Sequence, residues 1–130
     1  MKILFVTCFD SPGGQSNRSY LFAKELYKIG HNVTYFTNRY NHLDDHKRSI
    51  RDLKLDNNIK HIFVDNRNFK NKKTSSVILN CFTLFKFLRK NKFDIIISSS
   101  VPLINSFFAL IAKKKETKFF FDLRDVWPDA

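Results

Sequence analysis

Three clusters in this chain carry groups that could act on a substrate. The first is Pro12-Gly13-Gly14, with Asn17 and Arg18 just beyond it. Glycines let backbone approach a ligand closely, and a helix N-terminus favours phosphate. The spacing fits neither the dinucleotide fingerprint nor the P-loop, so a turn serving only chain reversal stands beside the binding reading. The second cluster is Ser98-Ser99-Ser100 with Pro102. Its hydroxyls and N–H groups could hold a polar ligand, or simply start a helix. The third is Asp122, Arg124 and Asp125 ahead of Trp127-Pro128. Two carboxylates and a guanidinium suit polar recognition, and a structural ion pair is the competing reading.

Other chemistries find little support. His42 and His46 share a loop, where their i,i+4 spacing could hold a metal only if that loop were helical, and a solvated pair is the expected reading. Cys8 and Cys81 have no metal-ligand spacing and no Cys-x-x-Cys partner. Both fall in apolar surroundings and are expected to be reduced core thiols. No metal and no cofactor is expected.

The elements that must position these clusters follow from apolar patterning. Ile3-Leu4-Phe5-Val6 is an unbroken apolar run, so Lys2 to Thr7 predicts a buried strand. Ser16 to Ile29 has Phe22, Ala23, Leu26, Tyr27 and Ile29 at helical steps, and Gly30 stands where a left-handed residue closes a helix. Val33 to Thr37 is a second strand, which completes a βαβ unit. Residues 38–58 are polar and predict a loop with a short helix. Ile59 to Val64 predicts a weaker strand, and residues 65–74 a basic loop. Ser75 or Ser76 is expected to cap a helix that ends near Asn91. Ile95-Ile96-Ile97 predicts a strand, Pro102 to Ala112 a helix and Lys118 to Asp122 a fifth strand. All three clusters thus fall at carboxyl ends of strands, where open α/β sheets place ligands. The fold class is α/β, a Rossmann-like doubly wound parallel sheet in a three-layer sandwich, with residues 1–130 forming one domain.

The net charge of +11 and a pI near 9.8 favour an anionic partner over a neutral one. The helix from Ser75 is apolar around most of its circumference, with Lys86, Arg89 and Lys90 at its end. That suits a core helix whose cations complement its dipole. It also suits one that touches an anionic membrane, with Phe69, Lys72 and Lys73 of the preceding loop beside it. The segment from Ile95 to Ala112 is broken by serines and Pro102 and does not read as a membrane span. A basic domain that binds a nucleotide or nucleic acid without catalysis stays open as an alternative, as does a fragment that never accumulates folded. No nucleic-acid-binding module signature is present, and nucleic acid is not the expected partner.

Taken together, these stretches resemble the N-terminal domain of GT-B glycosyltransferases of family 4. Gly30-His31-Asn32-Val33-Thr34 is similar to that family's G-H-x-V-T phrase. Phe93 to Leu103 is similar to its P-D-x-I-x-x-x-S-P-P-L segment, although Val101 replaces the first proline of the pair. Asp122-Leu-Arg-Asp-Val-Trp-Pro-Asp129 resembles the R-D-x-W-P-E motif of the fucosamine-transferase-like branch.

The resemblance implies an acceptor-side domain of a glycosyltransferase active in surface polysaccharide synthesis. A second, C-terminal domain would bind most of the nucleotide-sugar donor through an E-x7-E motif. Only Glu25 and Glu116 are present, so that motif is absent and the chain alone is expected to be inactive. The acceptor implied is a saccharide, free or linked to a polyprenyl diphosphate. The location implied is cytoplasmic, peripheral on the inner face of the plasma membrane. Residues expected to meet donor phosphate or acceptor are Gly13, Gly14, Asn17, Arg18, Ser99, Ser100, Arg124 and Asp125. Arg124 stands where many members carry a histidine, so that histidine's role does not transfer. Retaining enzymes of this fold need no metal, which agrees with the absence of a ligand cluster in the sequence.

Overall fold

The computed structural model describes residues 1–8, 18–38, 40–41, 46–47, 55–64, 74–100 and 102–123. Their order is β1 (Lys2–Val6), α1 (Arg18–Lys28), β2 (Asn32–Asn38), β3 (Tyr40–Asn41), β4 (His46–Lys47), β5 (Lys60–Val64), α2 (Thr74–Lys90), β6 (Ile95–Ser99), α3 (Leu103–Ala112) and β7 (Lys118–Asp122). Five strands form one parallel sheet in the order β5-β2-β1-β6-β7. The chain winds outward from β1 in one direction, then crosses back and winds outward in the other. This is the doubly wound, Rossmann-like fold expected from the sequence.

The alternation of side chains along β1 divides the core in two. Leu4 and Val6 face α2 and α3, packing with Phe36, Leu84, Leu88, Ile96 and Ala109. Ile3 and Phe5 face α1, packing with Tyr20, Ala23, Val33, Tyr35 and Ile59. Among the described residues, two helices therefore cover one face and a single helix covers the other. The layers are pinned at the amino edge, where Lys2 N–H donates to Asp94 Oδ2 at 2.6 Å and Thr117 Oγ1 donates to the Phe93 carbonyl at 2.7 Å.

α1 ends as the glycine predicts. Gly30 has φ +91°, its N–H donates to the Tyr27 carbonyl, and His31 N–H reaches back to the Leu26 carbonyl. Those paired bonds form a Schellman motif, and the left-handed backbone is tolerable because no Cβ is present.

Several expectations are corrected. In α1, Phe22, Tyr27 and Ile29 are exposed, while Ser19, Tyr20 and Ala23 are buried. The helix lies on its 20/23/26 stripe, so a polar-tipped tyrosine replaces the expected phenylalanine in the core. Tyr20 stays there because its hydroxyl oxygen accepts the Asp56 N–H at 2.6 Å. Between β2 and β5, Tyr40–Asn41 and His46–Lys47 pair antiparallel, a two-residue ladder where a loop with a short helix was expected. His46 therefore lies on a strand, and His42 lies outside the described residues. α2 begins at Thr74, so Ser75 and Ser76 belong to its first turn rather than capping it, and Ser76 is fully buried. Pro102 is the N-cap of α3 rather than its first helical residue.

Candidate functional site at the carboxyl edge

The winding direction reverses between β1 and β6, and that reversal opens a crevice beyond their carboxyl ends. Thr7 and Cys8 leave β1 there, and Ser98, Ser99 and Ser100 close β6. Arg18, at the first position of α1, reaches across this edge. Its Nη2 lies 3.1 Å from Asp122 Oδ1 at the end of β7. The Asp122 carbonyl also accepts the Ser100 N–H at 3.0 Å, so β6 and β7 stay locked where they meet Arg18. The guanidinium side chain is 72% exposed and the carboxylate side chain 21%, which leaves the cation open to solvent at the crevice rim.

The serine cluster is less open than its composition suggests. Ser98 and Ser106 share a 2.8 Å hydroxyl contact, and Ser106 donates to the Ser99 carbonyl at 2.7 Å. This ties the end of β6 to the first turns of α3. Ser99 and Ser100 are buried at this edge. Of the residues expected to meet a ligand, the structure thus brings Arg18, Ser99 and Ser100 to one edge. Gly13, Gly14, Asn17, Arg124 and Asp125 lie outside the described residues, as do Phe69, Lys72 and Lys73 of the basic loop.

Beneath the crevice is a buried polar floor that sequence reasoning missed. Cys8 Sγ accepts from Asn38 Nδ2 at 3.3 Å and Asn80 Nδ2 at 3.4 Å. Cys81 Sγ donates to Asn105 Oδ1 at 3.1 Å, and Asn105 also bonds Cys8. Five side chains from β2, α2, α3 and the end of β1 are joined this way. Burial pushes the Cys8 thiol up to about 12 and raises Cys81 as well, so both remain protonated and poor nucleophiles. They are the reduced core thiols the sequence implied. Thr7 Oγ1, buried at the end of β1, has no hydrogen-bond partner among the described residues. The available signal was an asparagine inside each apolar helical run, Leu79-Asn80-Cys81 and Ile104-Asn105-Ser106, since such a residue needs a buried partner.

Two larger cavities lie beside this edge and beyond it. The first of them, a trough of about 570 Å³ along the α1 face, is lined mostly by Ile3, Phe5, Phe22, Ile97 and Phe120 and reaches Arg18, Ser19 and Asp122 at the carboxyl edge. Another of about 740 Å³ lies between α3 and the edge of β7. Both are apolar, whereas the crevice combines hydroxyls, backbone N–H groups and a cation. Among the described residues no cluster of His, Cys, Asp and Glu could hold a metal. No described helix is long and apolar enough to cross a membrane.

The family model for Glycosyltransferase Family 4 matches residues 12–123, which takes in Arg18 and the β6 side of this crevice but not Thr7 and Cys8 at the end of β1. The chain belongs to glycosyltransferase family 4. Family membership carries with it a sugar donor and a sugar acceptor as the general kinds of partner. No curated protein matches the chain. Among solved structures, one similar fold is the C-terminal domain, residues 78–226, of the PF1911 hydrogenase from Pyrococcus furiosus. The likeness covers 94% of this chain and 91% of that one, at 17% identity and a TM-score of 0.65. A second crystal structure of that domain, residues 83–215, covers 92% and 89% at 15% identity and a TM-score of 0.66. Identity that low speaks for the doubly wound fold alone and says nothing about chemistry.

Proposed function

We propose that this family 4 domain is the acceptor-side, N-terminal half of a two-domain GT-B glycosyltransferase. In this reading it forms one wall of a cleft whose other wall, a nucleotide-sugar-binding domain, is supplied by a separate folded unit. The reaction is transfer of a sugar onto a saccharide carried by a polyprenyl diphosphate, within surface polysaccharide synthesis. The branch is the one acting on amino-sugar and deoxy-sugar donors.

The observation that carries this reading is Arg18 at the rim of the switch-point crevice, opposite the end of β6. A guanidinium presents a planar fork suited to phosphate oxygens. At the start of α1 it adds to the positive end of the helix dipole. A diphosphate-linked saccharide offers charge for that cation and hydroxyls for the neighbouring polar groups.

The α2/α3 layer supports a membrane-bound acceptor. Ile78, Leu79 and Phe82 of α2 and Leu103, Phe107 and Leu110 of α3 are exposed. Exposed apolar area of this kind marks an interaction surface. Lys86, Arg89 and Lys90 flank it, and Lys114 Nζ donates to the Arg89 carbonyl, drawing the basic ends of both helices together. Each cation near an anionic leaflet contributes about 1 kcal/mol.

Calorimetric titration with a polyprenyl-diphosphate disaccharide tests the reading. Saturable binding is expected, weakened about tenfold in Arg18→Ala, as for loss of a charged hydrogen bond. Binding of the free nucleotide sugar but not of the lipid-linked saccharide would contradict it. Co-sedimentation with phosphatidylglycerol vesicles but not phosphatidylcholine vesicles is expected, and indifference to lipid charge would remove the membrane component.

A further inference from the structure

The chain carries 23 lysines and arginines against 12 aspartates and glutamates. A surface with that excess draws in any polyanion, and attraction by charge alone does not tell a sugar phosphate from a bare one. The rim of the crevice is built differently. Its cation, Arg18, stands beside a carboxylate, Asp122, which comes from 104 residues away in the chain. No helical or turn spacing brings these two together; the sheet does.

The carboxylate is held in place by its strand. Asp122 closes β7 in register with Ser99 of β6, and its carbonyl accepts the Ser100 N–H at 3.0 Å. Its side chain is mostly covered, whereas that of Arg18 is mostly in solvent. A single contact joins them, with Arg18 Nη2 donating to Asp122 Oδ1 at 3.1 Å. A guanidinium has five N–H donors, so this contact leaves others for a ligand.

Charge decides what such a pair accepts. An anion arriving at Arg18 is attracted by the guanidinium and repelled by the carboxylate beside it, so the two Coulomb terms largely cancel. A bare phosphate chain has nothing else to offer. A glycosyl diphosphate also brings sugar hydroxyls, which donate to a carboxylate as phosphate oxygens accept from a guanidinium. The hydroxyl bond offsets the repulsion, and a ligand without hydroxyls cannot make it.

We propose that Asp122 is a specificity-determining residue of the crevice, admitting a sugar-bearing diphosphate and turning away bare polyanions. The inference rests on the reading of Arg18 as the diphosphate contact. Asp122 adds the discrimination. It cancels the field of Arg18 for the wrong ligand and accepts a hydroxyl hydrogen from the right one. Specificity of this kind comes from a repulsive element set against the unwanted partner.

Calorimetric titration of the 130-residue chain with two probes tests it, inorganic pyrophosphate and the polyprenyl-diphosphate disaccharide. Low salt is used because exposed charges are screened. The wild type is expected to prefer the disaccharide. Asp122→Asn keeps the side-chain shape and the backbone carbonyl that holds Ser100, and removes the charge. It is expected to tighten pyrophosphate binding and so lower the preference for the disaccharide about tenfold. Asp122→Glu restores a carboxylate and is expected to restore the preference. In an Arg18→Ala background, Asp122→Asn is expected to lose its effect on pyrophosphate, because the contact it tunes is gone. Circular dichroism checks that each variant is folded.

A preference unchanged by Asp122→Asn overturns the proposal. So does an equal weakening of both probes, which would make Asp122 a brace that merely holds Arg18. An effect that persists in full without Arg18 also overturns it, since it would then belong to net charge. The reading beneath fails by a different result. Disaccharide binding that is absent, or intact in Arg18→Ala alone, defeats that reading and this proposal with it.

Discussion

At the centre of the sheet, Ile3, Leu4, Phe5 and Val6 are all at most 1% exposed, while at its edge Phe120 and Phe121 keep about half their surface. Both strands are unbroken apolar runs, and a run of that kind belongs to a parallel strand covered on both faces. β1 meets the requirement through β2, β6 and helices on either side. β7 meets it only in part: Phe119 packs against the α2/α3 core, while Phe120 and Phe121 stay exposed. The composition of a strand records the surroundings it is suited to, and the fold of these residues alone does not provide them at β7.

The comparison can be broken most sharply by truncating one phenylalanine in each strand. Phe5→Ala removes a ring that stacks on Tyr35 at 6.0 Å and meets Phe22 edge-on at 5.8 Å. A loss of about 3–5 kcal/mol is expected in urea denaturation. Phe120→Ala is expected to cost within about 1 kcal/mol, because little of that ring is removed from water on folding. Equal costs would mean that β7 is already sealed.

The polar floor gives the next effect in size. Asn80→Ala leaves the buried Cys8 sulfur without one of its donors, and a loss of about 1–3 kcal/mol is expected in the same assay. With its thiol held protonated, Cys8 is expected to resist iodoacetamide at neutral pH until the protein unfolds. Labelling at the rate of an exposed cysteine would contradict the floor.

On the far edge, His61 sharpens the contrast through pH. It lies half-buried in β5, stacked on Phe63 at 5.9 Å, and burial holds its imidazole below the usual range. The folded value is lower than the unfolded one. The stability it contributes is therefore present above about pH 6.5 and lost as pH falls through the depressed folded value. Unfolding free energy is expected to drop between about pH 7 and pH 5, by at most about 1.4 kcal/mol per pH unit, and His61→Phe should flatten that slope. Asp56, nearby, titrates below this window, since its bonds from Asn58 lower it further. An unchanged slope in the variant would assign the effect elsewhere. The smallest stability effect is Arg18→Ala, about 0–1 kcal/mol, because the Asp122 pair is largely solvated. If thermal melts showed a large loss, Arg18 would be a structural brace and not a rim cation.

Much of the fold was legible because its strands are fully apolar and its helix stops are chemically marked. Gly30 and the Lys118–Asp122 run were read from residue type and spacing. The hairpin of Tyr40–Asn41 with His46–Lys47 was not, since two-residue strands leave no period to detect. In α1 the apolar residues outnumber those the core can take. Which stripe faces inward was decided by Tyr20 finding a donor at Asp56, a long-range fact. For the candidate site, strand ends pointed to the carboxyl edge, and the fold places Arg18, Ser99 and Ser100 along it. The pairing of Arg18 with Asp122 across 104 residues and the Asn38/Asn80/Asn105 floor were hidden, because each depends on contacts between distant elements.

The central claim is that the carboxyl edge between β1 and β6 receives a diphosphate-linked saccharide. Amide chemical-shift mapping during titration with a polyprenyl-diphosphate disaccharide tests it most directly. The account predicts that the largest changes cluster at Thr7, Cys8, Arg18, Ser19 and Ser98 to Ser100. Changes centred instead on Lys2, Asn32, Lys92 and Asp94, at the amino edge, would contradict it.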